Sequence, residues 1–137
     1  MAPLGPARCA KEEPVSDPRP QPHHDPVLTV TAGPHAAGPA LITVTGELDF
    51  STAADLRDTL DDTPMTAAGL VIDLTGLRYC DSTGLTVLVT AFQQAKRAGA
   101  PLALAGLNAT LNRVFDIAGL HAIFPSYPTV DQAVLAI

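Results

Sequence analysis

The stretch Tyr79-Cys80-Asp81-Ser82-Thr83-Gly84-Leu85 gathers a phenol, a thiol, a carboxylate, two aliphatic hydroxyls and a glycine just ahead of a helical apolar period. Ser82 stands where a helix N-cap is predicted, before Gly84 and the first periodic apolar residue, Leu85. A hydroxyl there meets free backbone N–H groups and the positive end of a helix dipole, which stabilises an attached anion by about 0.3–1 kcal/mol at an exposed site. Two readings of Ser82 stand side by side. It is a cap alone, contributing about 1 kcal/mol, or it is a hydroxyl that carries a phosphoryl group. Gly84, lacking a side chain, is read as clearance for a partner's backbone or a kinase active site.

Other chemistry finds less support. A serine nucleophile needs a base, and after residue 26 the only histidines are His35, in a Gly/Pro loop, and His121. The Gly-x-Ser-x-Gly elbow is missing, since residues 80–84 read Cys-Asp-Ser-Thr-Gly. Cys80 near a helix N-terminus is either a reactive thiolate or a buried small apolar group, and its apolar neighbourhood favours the second. Glu47 and Asp49 pair two carboxylates in a loop, but no aromatic surface accompanies them for sugar chemistry, which leaves solvated charge or a contact for a basic partner. Asp73 and Asp81 bracket a strand end in the manner of a phosphoaspartate receiver. That chemistry also needs a lysine at a later strand end, and the only lysines are Lys11 and Lys96. His23, His24 and Asp25 lack a third fixed ligand partner for a metal. No cofactor is expected, and no enzyme.

The elements that must hold these residues follow from periodicity. Val27–Thr31 and Ala40–Thr45 read as strands around a loop marked by Gly33, Pro34, Gly38 and Pro39, with Gly46 ending the second strand. They form an antiparallel pair at one side of a sheet. Ser51 or Thr52 caps a helix whose face carries Ala53, Leu56 and Leu60, and Asp61-Asp62-Thr63-Pro64 stops it. Leu70–Leu74 is an interior strand leading to the Cys80–Gly84 turn. The longest helix places Leu85, Leu88, Val89, Phe92 and Ala95 inward, with Lys96 and Arg97 in its last turn and Gly99 as its stop. Leu102–Ala105 is a strand. Asn108 caps a helix bearing Leu111, Val114, Phe115 and Ala118, stopped by Gly119. Ala122–Ser126 reads as a short edge strand weakened by Pro125, and Thr129 with Gln132 opens a C-terminal helix. The order β-β-α-β-α-β-α-(β)-α predicts an α/β fold with one mixed four- to five-stranded sheet, mostly parallel after the first pair, packed with about four helices.

Composition narrows the setting. The chain has 137 residues, 47% of them apolar, enough for one domain and a tail. Residues 1–26 hold seven of the thirteen prolines and little apolar surface, the composition of a disordered or polyproline-like tail, so the domain is assigned to residues 27–137. Eight Lys and Arg against fourteen Asp and Glu give a net charge of −6, and the five basic residues after residue 26 do not cluster, which argues against nucleic acid. No apolar run reaches the roughly 18–20 residues that span a bilayer, nor is there a secretory h-region, so a soluble cytoplasmic protein without membrane contact is expected. Cys9 and Cys80 sit in contexts too different for a structural disulfide.

Three motifs in order carry a resemblance: Gly46-Glu47-Leu48-Asp49 with Thr52-Ala53, then Asp81-Ser82-Thr83-Gly84-Leu85, then Arg113-Val114-Phe115-Asp116-Ile117-Ala118-Gly119-Leu120. Over residues 27–137 the chain resembles the STAS-domain anti-sigma factor antagonists of bacteria. Cys80 departs from the larger apolar residue that many relatives carry before the aspartate, and the Pro-rich tail is extra. The resemblance implies a binding module that, unphosphorylated, engages an anti-sigma factor serine kinase and frees a sigma factor. The kinase then phosphorylates the serine after the aspartate, which is Ser82 here, and a PP2C-type phosphatase restores it. ATP and Mg²⁺ belong to the partner. The docking surface implied comprises Asp49, Asp81, Ser82, Thr83 and Gly84, with Leu85, Leu88, Phe92, Val114 and Phe115 assigned to the core. Some STAS domains serve instead as scaffolds or transport-complex subunits, and in that alternative Ser82 is only a cap.

Overall fold

A computed structural model of the chain describes residues 27–137. Its elements are β1 (Leu28–Pro34), β2 (Ala40–Leu48), α1 (Ala53–Asp62), β3 (Leu70–Asp73), β4 (Leu77–Cys80), α2 (Ser82–Arg97), β5 (Leu102–Ala105), α3 (Ala109–Ile117), β6 (Ser126–Tyr127) and α4 (Val130–Ala136). One mixed sheet runs in the order β1-β2-β3-β5-β6, with β4 paired to β2 beyond the end of β3. β1 and β2 are antiparallel, while β2–β3, β2–β4, β3–β5 and β5–β6 are parallel. This is the predicted mixed α/β sheet with one more strand than expected. The proposed tail, residues 1–26, lies outside the described residues, as do His23, His24 and Asp25.

Alternation along the strands builds two cores. Ile42, Val44, Leu48, Leu70, Ile72, Leu74, Leu102 and Leu104 point to one face, where they meet Leu56, Leu60, Leu88, Leu111 and Phe115 of α1, α2 and α3. Val71, Ala103 and Ala105 point to the other, against Ala133 of α4. Strands apolar on both faces are what a sheet covered on both sides requires. Within the larger core Phe124 meets Phe92 edge-on at a centroid distance of 5.4 Å and Phe115 at 5.9 Å. The caps of the later helices are as predicted: Leu111 N donates to Asn108 Oδ1 at 2.8 Å and Gln132 N to Thr129 Oγ1 at 3.2 Å. Gly99 and Gly119, with φ of 72° and 71°, follow the ends of α2 and α3.

Four strand assignments change. Gly33 and Pro34 are not loop but extend β1, paired with Leu41 and Ala40. Gly46 does not end β2. Its φ of 109° forms a bulge that carries the strand on to Leu48, and a Cβ at that position would lie 2.1 Å from the Val27 carbonyl oxygen. The longer β2 then pairs with Leu77–Cys80, which forms the unpredicted β4. At the far side of the sheet Leu120–Ala122 is a 3-10 turn, and pairing with β5 begins only at Ser126, after Pro125.

Candidate functional site

The parallel register of β2 and β4 places Leu48 beside Cys80, and Asp81 N donates to the Leu48 carbonyl at 3.0 Å. The loops leaving these two strands therefore emerge together, each running into the N-terminus of a helix. Asp81 joins them. Its Oδ1 accepts from Gly84 N at 2.9 Å and caps α2, while its Oδ2 accepts from Phe50 N at 3.1 Å across the gap to the other loop. Ionised, one carboxylate can satisfy both donors.

Asp49 organises its own turn. Its Oδ1 accepts from Ser51 N at 2.9 Å, Ser51 Oγ at 2.6 Å and Thr52 N at 3.2 Å. Donation by the Ser51 hydroxyl is the main cause that holds the Asp49 carboxyl below its ordinary range; desolvation opposes it, and the Ser51 amide and the Thr52 hydroxyl and amide add to it. Thr52 is buried; its hydroxyl accepts from Asp49 N at 2.9 Å and donates to the Glu47 carbonyl at 3.0 Å. Thr52 thus occupies the cap position of α1, but its hydroxyl turns back into the loop and accepts no bond from the first helical turn, contrary to the capping bond expected of Ser51 or Thr52.

The structure brings Asp49, Asp81, Ser82 and Thr83 to one end of the sheet and revises two of the assigned roles. Asp81, not Ser82, is the N-cap of α2; Ser82 is the first helical residue, and both it and Thr83 are exposed. A hydroxyl relieved of capping remains open to solvent. Gly84 is buried, and a Cβ there would lie 2.6 Å from Leu48 Cγ and 2.9 Å from Cys80 Sγ. Its missing side chain gives room to the protein's own core, not to a partner. Cys80 is buried, as its neighbourhood implied, and desolvation followed by the adjacent Asp81 charge pushes its thiol up to about 12. Of the residues assigned to the core, Leu88 and Phe115 are buried, while Leu85, Phe92 and Val114 are half-buried.

Asp73, His35 and His121 make local contacts. Asp73 Oδ1 accepts from Thr75 N and Thr75 Oγ1 at 3.0 and 2.6 Å. His35 Nδ1 accepts from Ala37 N within the β1–β2 loop, and His121 lies 3.3 Å from Asp116. Among the described residues no group of three or more His, Cys, Asp or Glu is arranged to hold a metal ion. No described helix is long and apolar enough to cross a membrane. One site residue escaped the sequence reading. Phe50, between Asp49 and Ser51, is 80% exposed although its amide is tied to Asp81. The available signal was an aromatic side chain in a polar turn of a chain with only 4% aromatic residues.

Comparison with known proteins agrees with this architecture. The STAS domain matches residues 30–133. The anti-sigma-B factor antagonist of Bacillus subtilis is 40% identical over 82 residues, which cover 60% of this chain and 75% of that protein. The protein of the same name from Listeria monocytogenes is 42% identical over 84 residues, covering 60% of this chain and 73% of its own length. The crystal structure of an anti-sigma factor antagonist from Mycobacterium paratuberculosis superposes with a TM-score of 0.70 at 27% identity, covering 80% of this chain and 93% of the other. With a family match over residues 30–133, most of its length, and a mixed α/β sheet, this chain belongs to the STAS domain family.

Proposed function

We propose that this chain is an anti-sigma factor antagonist. Unphosphorylated, it binds an anti-sigma factor serine kinase and frees a sigma factor; phosphorylation of Ser82 ends that binding, and a PP2C-type phosphatase reverses it. The observation that carries the reading is the exposed Ser82 on the first turn of α2, relieved of capping by Asp81 and set beside the Asp49 turn. The relatives named anti-sigma-B factor antagonist supply the class of partner. Asp49, Asp81, Ser82 and Thr83 form the docking surface, and Gly84 supports it from beneath. The protein acts as a binding module and not as an enzyme, with ATP and Mg²⁺ held by the kinase. It works in the cytoplasm, where sigma factors meet RNA polymerase, through one domain at residues 27–137.

A phosphoryl group adds about −1.5 to −2 charges. On Ser82 they fall next to the Asp81 carboxylate, and the cost of desolvating a dianion at the interface opposes docking without any refolding. The test is intact-mass spectrometry after incubation with ATP, Mg²⁺ and the purified anti-sigma kinases of the same cell, using the parent chain and Ser82→Ala. One added phosphoryl group on the parent and none on Ser82→Ala supports the proposal. Phosphorylation that persists in Ser82→Ala would move the switch elsewhere.

A further inference from the structure

Phe50 has no task inside the fold. Its ring contributes nothing to either core, yet its backbone is among the most constrained in the loop region: its amide donates to Asp81 Oδ2, and it lies between Asp49, whose amide donates to Thr52 Oγ1, and Ser51, whose amide donates to Asp49 Oδ1. An aromatic ring held out on a fixed backbone gives large contact area at low entropy cost on binding, the property of an interface anchor. Other large apolar side chains are as exposed, Ile117 at 81% and Leu135 at 86%, but they belong to α3 and α4 and not to the loop that Asp81 ties down. Phe50 follows Asp49 in the chain and is bonded through its amide to Asp81, the residue before Ser82.

Resting on the function proposed above, we infer that Phe50 is the anchor of the docking surface. It inserts into an apolar pocket of the anti-sigma factor whose rim is cationic. Charge specifies the rim: among the described residues neither Asp49 nor Asp81 has a cationic partner, the nearby Glu47 being the one that pairs with Arg78 at 4.0 Å. An aromatic centre with unpaired carboxylates at its edge calls for a hydrophobic socket flanked by Lys or Arg. A phosphoryl group on Ser82 at this rim opposes docking only through the cost of desolvating a dianion, which exceeds its attraction to the rim cations.

The inference is tested by titrating the purified anti-sigma kinases of the same cell with the full chain, as parent, Phe50→Ala, Phe50→Leu and Ile117→Ala. The expected result is a loss of affinity of more than tenfold for Phe50→Ala, a smaller loss for Phe50→Leu and none for Ile117→Ala. All four should share one thermal midpoint within about 2 °C, since exposed side chains away from special features change stability little. Parent-like binding by Phe50→Ala, with the parent itself binding, would overturn the anchor and leave the proposed function intact. Absence of binding by the parent to every kinase in the panel would overturn the function and the anchor with it.

Discussion

Replacing Gly84 with alanine separates clearance for a partner from packing against the protein's own core. The added Cβ would lie 2.6 Å from Leu48 Cγ and 2.9 Å from Cys80 Sγ, where relaxed carbon contacts need about 3.5–4.0 Å. Leu48 is completely buried, so its branch point has nowhere to swing. Forcing a methyl group into such packing costs about 1–3 kcal/mol. The higher helix propensity of alanine offsets at most about 1 kcal/mol of this. The net expectation is a loss of about 1–2 kcal/mol, a fall of roughly 4–8 °C in thermal midpoint for a domain of this size. To relieve the contact the first turn of α2 must lift from β2, which loosens the 2.9 Å bond from Gly84 N to Asp81 and displaces Ser82. Thermal unfolding of Gly84→Ala, Leu48→Ala and the double variant measures this directly. Leu48→Ala alone should cost about 2–5 kcal/mol. Because the new methyl group then enters space that Leu48 has vacated, the double variant should be more stable than the sum of the singles by about 1 kcal/mol. A Gly84→Ala midpoint at or above the parent, with strict additivity, would refute inward packing and restore the reading of Gly84 as outward clearance.

Asp81→Ala removes the acceptor shared by Gly84 N and Phe50 N. It should cost about 1–2 kcal/mol, the usual range for losing a helix cap, and amide exchange should quicken at both positions; quickened exchange at Gly84 alone would refute the bridge to Phe50. Burial of the Cys80 thiol gives a pH dependence. With a folded pKa raised from 9.0 to about 12, the protein holds its proton where the unfolded chain has lost it. The contribution of Cys80 is therefore fully present below pH 9 and lost as pH rises from about 9 towards 12. In a Cys9→Ser background, which leaves Cys80 as the only thiol, Cys80→Ala should flatten the alkaline decline in urea midpoint, and iodoacetamide should label Cys80 at pH 8 only under unfolding conditions.

Elements set by local chemistry were readable in the sequence. Asn108 and Thr129 are caps whose own hydrogen bonds decide the matter, and the 3.6-residue period of α2 and α3 needs no distant partner. What escaped depends on residues far apart in the chain. Leu77-Arg78-Tyr79-Cys80 is too short and too mixed to announce a strand, and it becomes β4 only because β2 passes through its Gly46 bulge to offer a free edge. Asp81 and Ser82 are equally good caps by type. The choice falls to Asp81 because pairing of Cys80 with Leu48 fixes where the strand stops and the helix starts. Gly84 followed the same rule: a glycine ahead of a helix looks outward in the sequence, and only the arrival of Leu48 beneath it turns its role inward. The grouping of Asp49, Asp81 and Ser82 was implied by family resemblance, whereas the bridge from Phe50 N to Asp81 Oδ2, which couples the loops, spans 31 residues and leaves no local trace.

The central claim is a switch at Ser82, and the most direct test is calorimetric titration of the anti-sigma kinase that phosphorylates the chain. One titrant carries unmodified Ser82 and the other homogeneous phosphoserine at position 82. Desolvating an ion at an interface costs several kcal/mol, and each 1.4 kcal/mol is about tenfold in affinity. The account predicts binding of the unmodified chain and at least about 100-fold weaker binding of the phosphorylated chain, with the thermal midpoints of the two forms close together. Equal affinity of the two forms would contradict it.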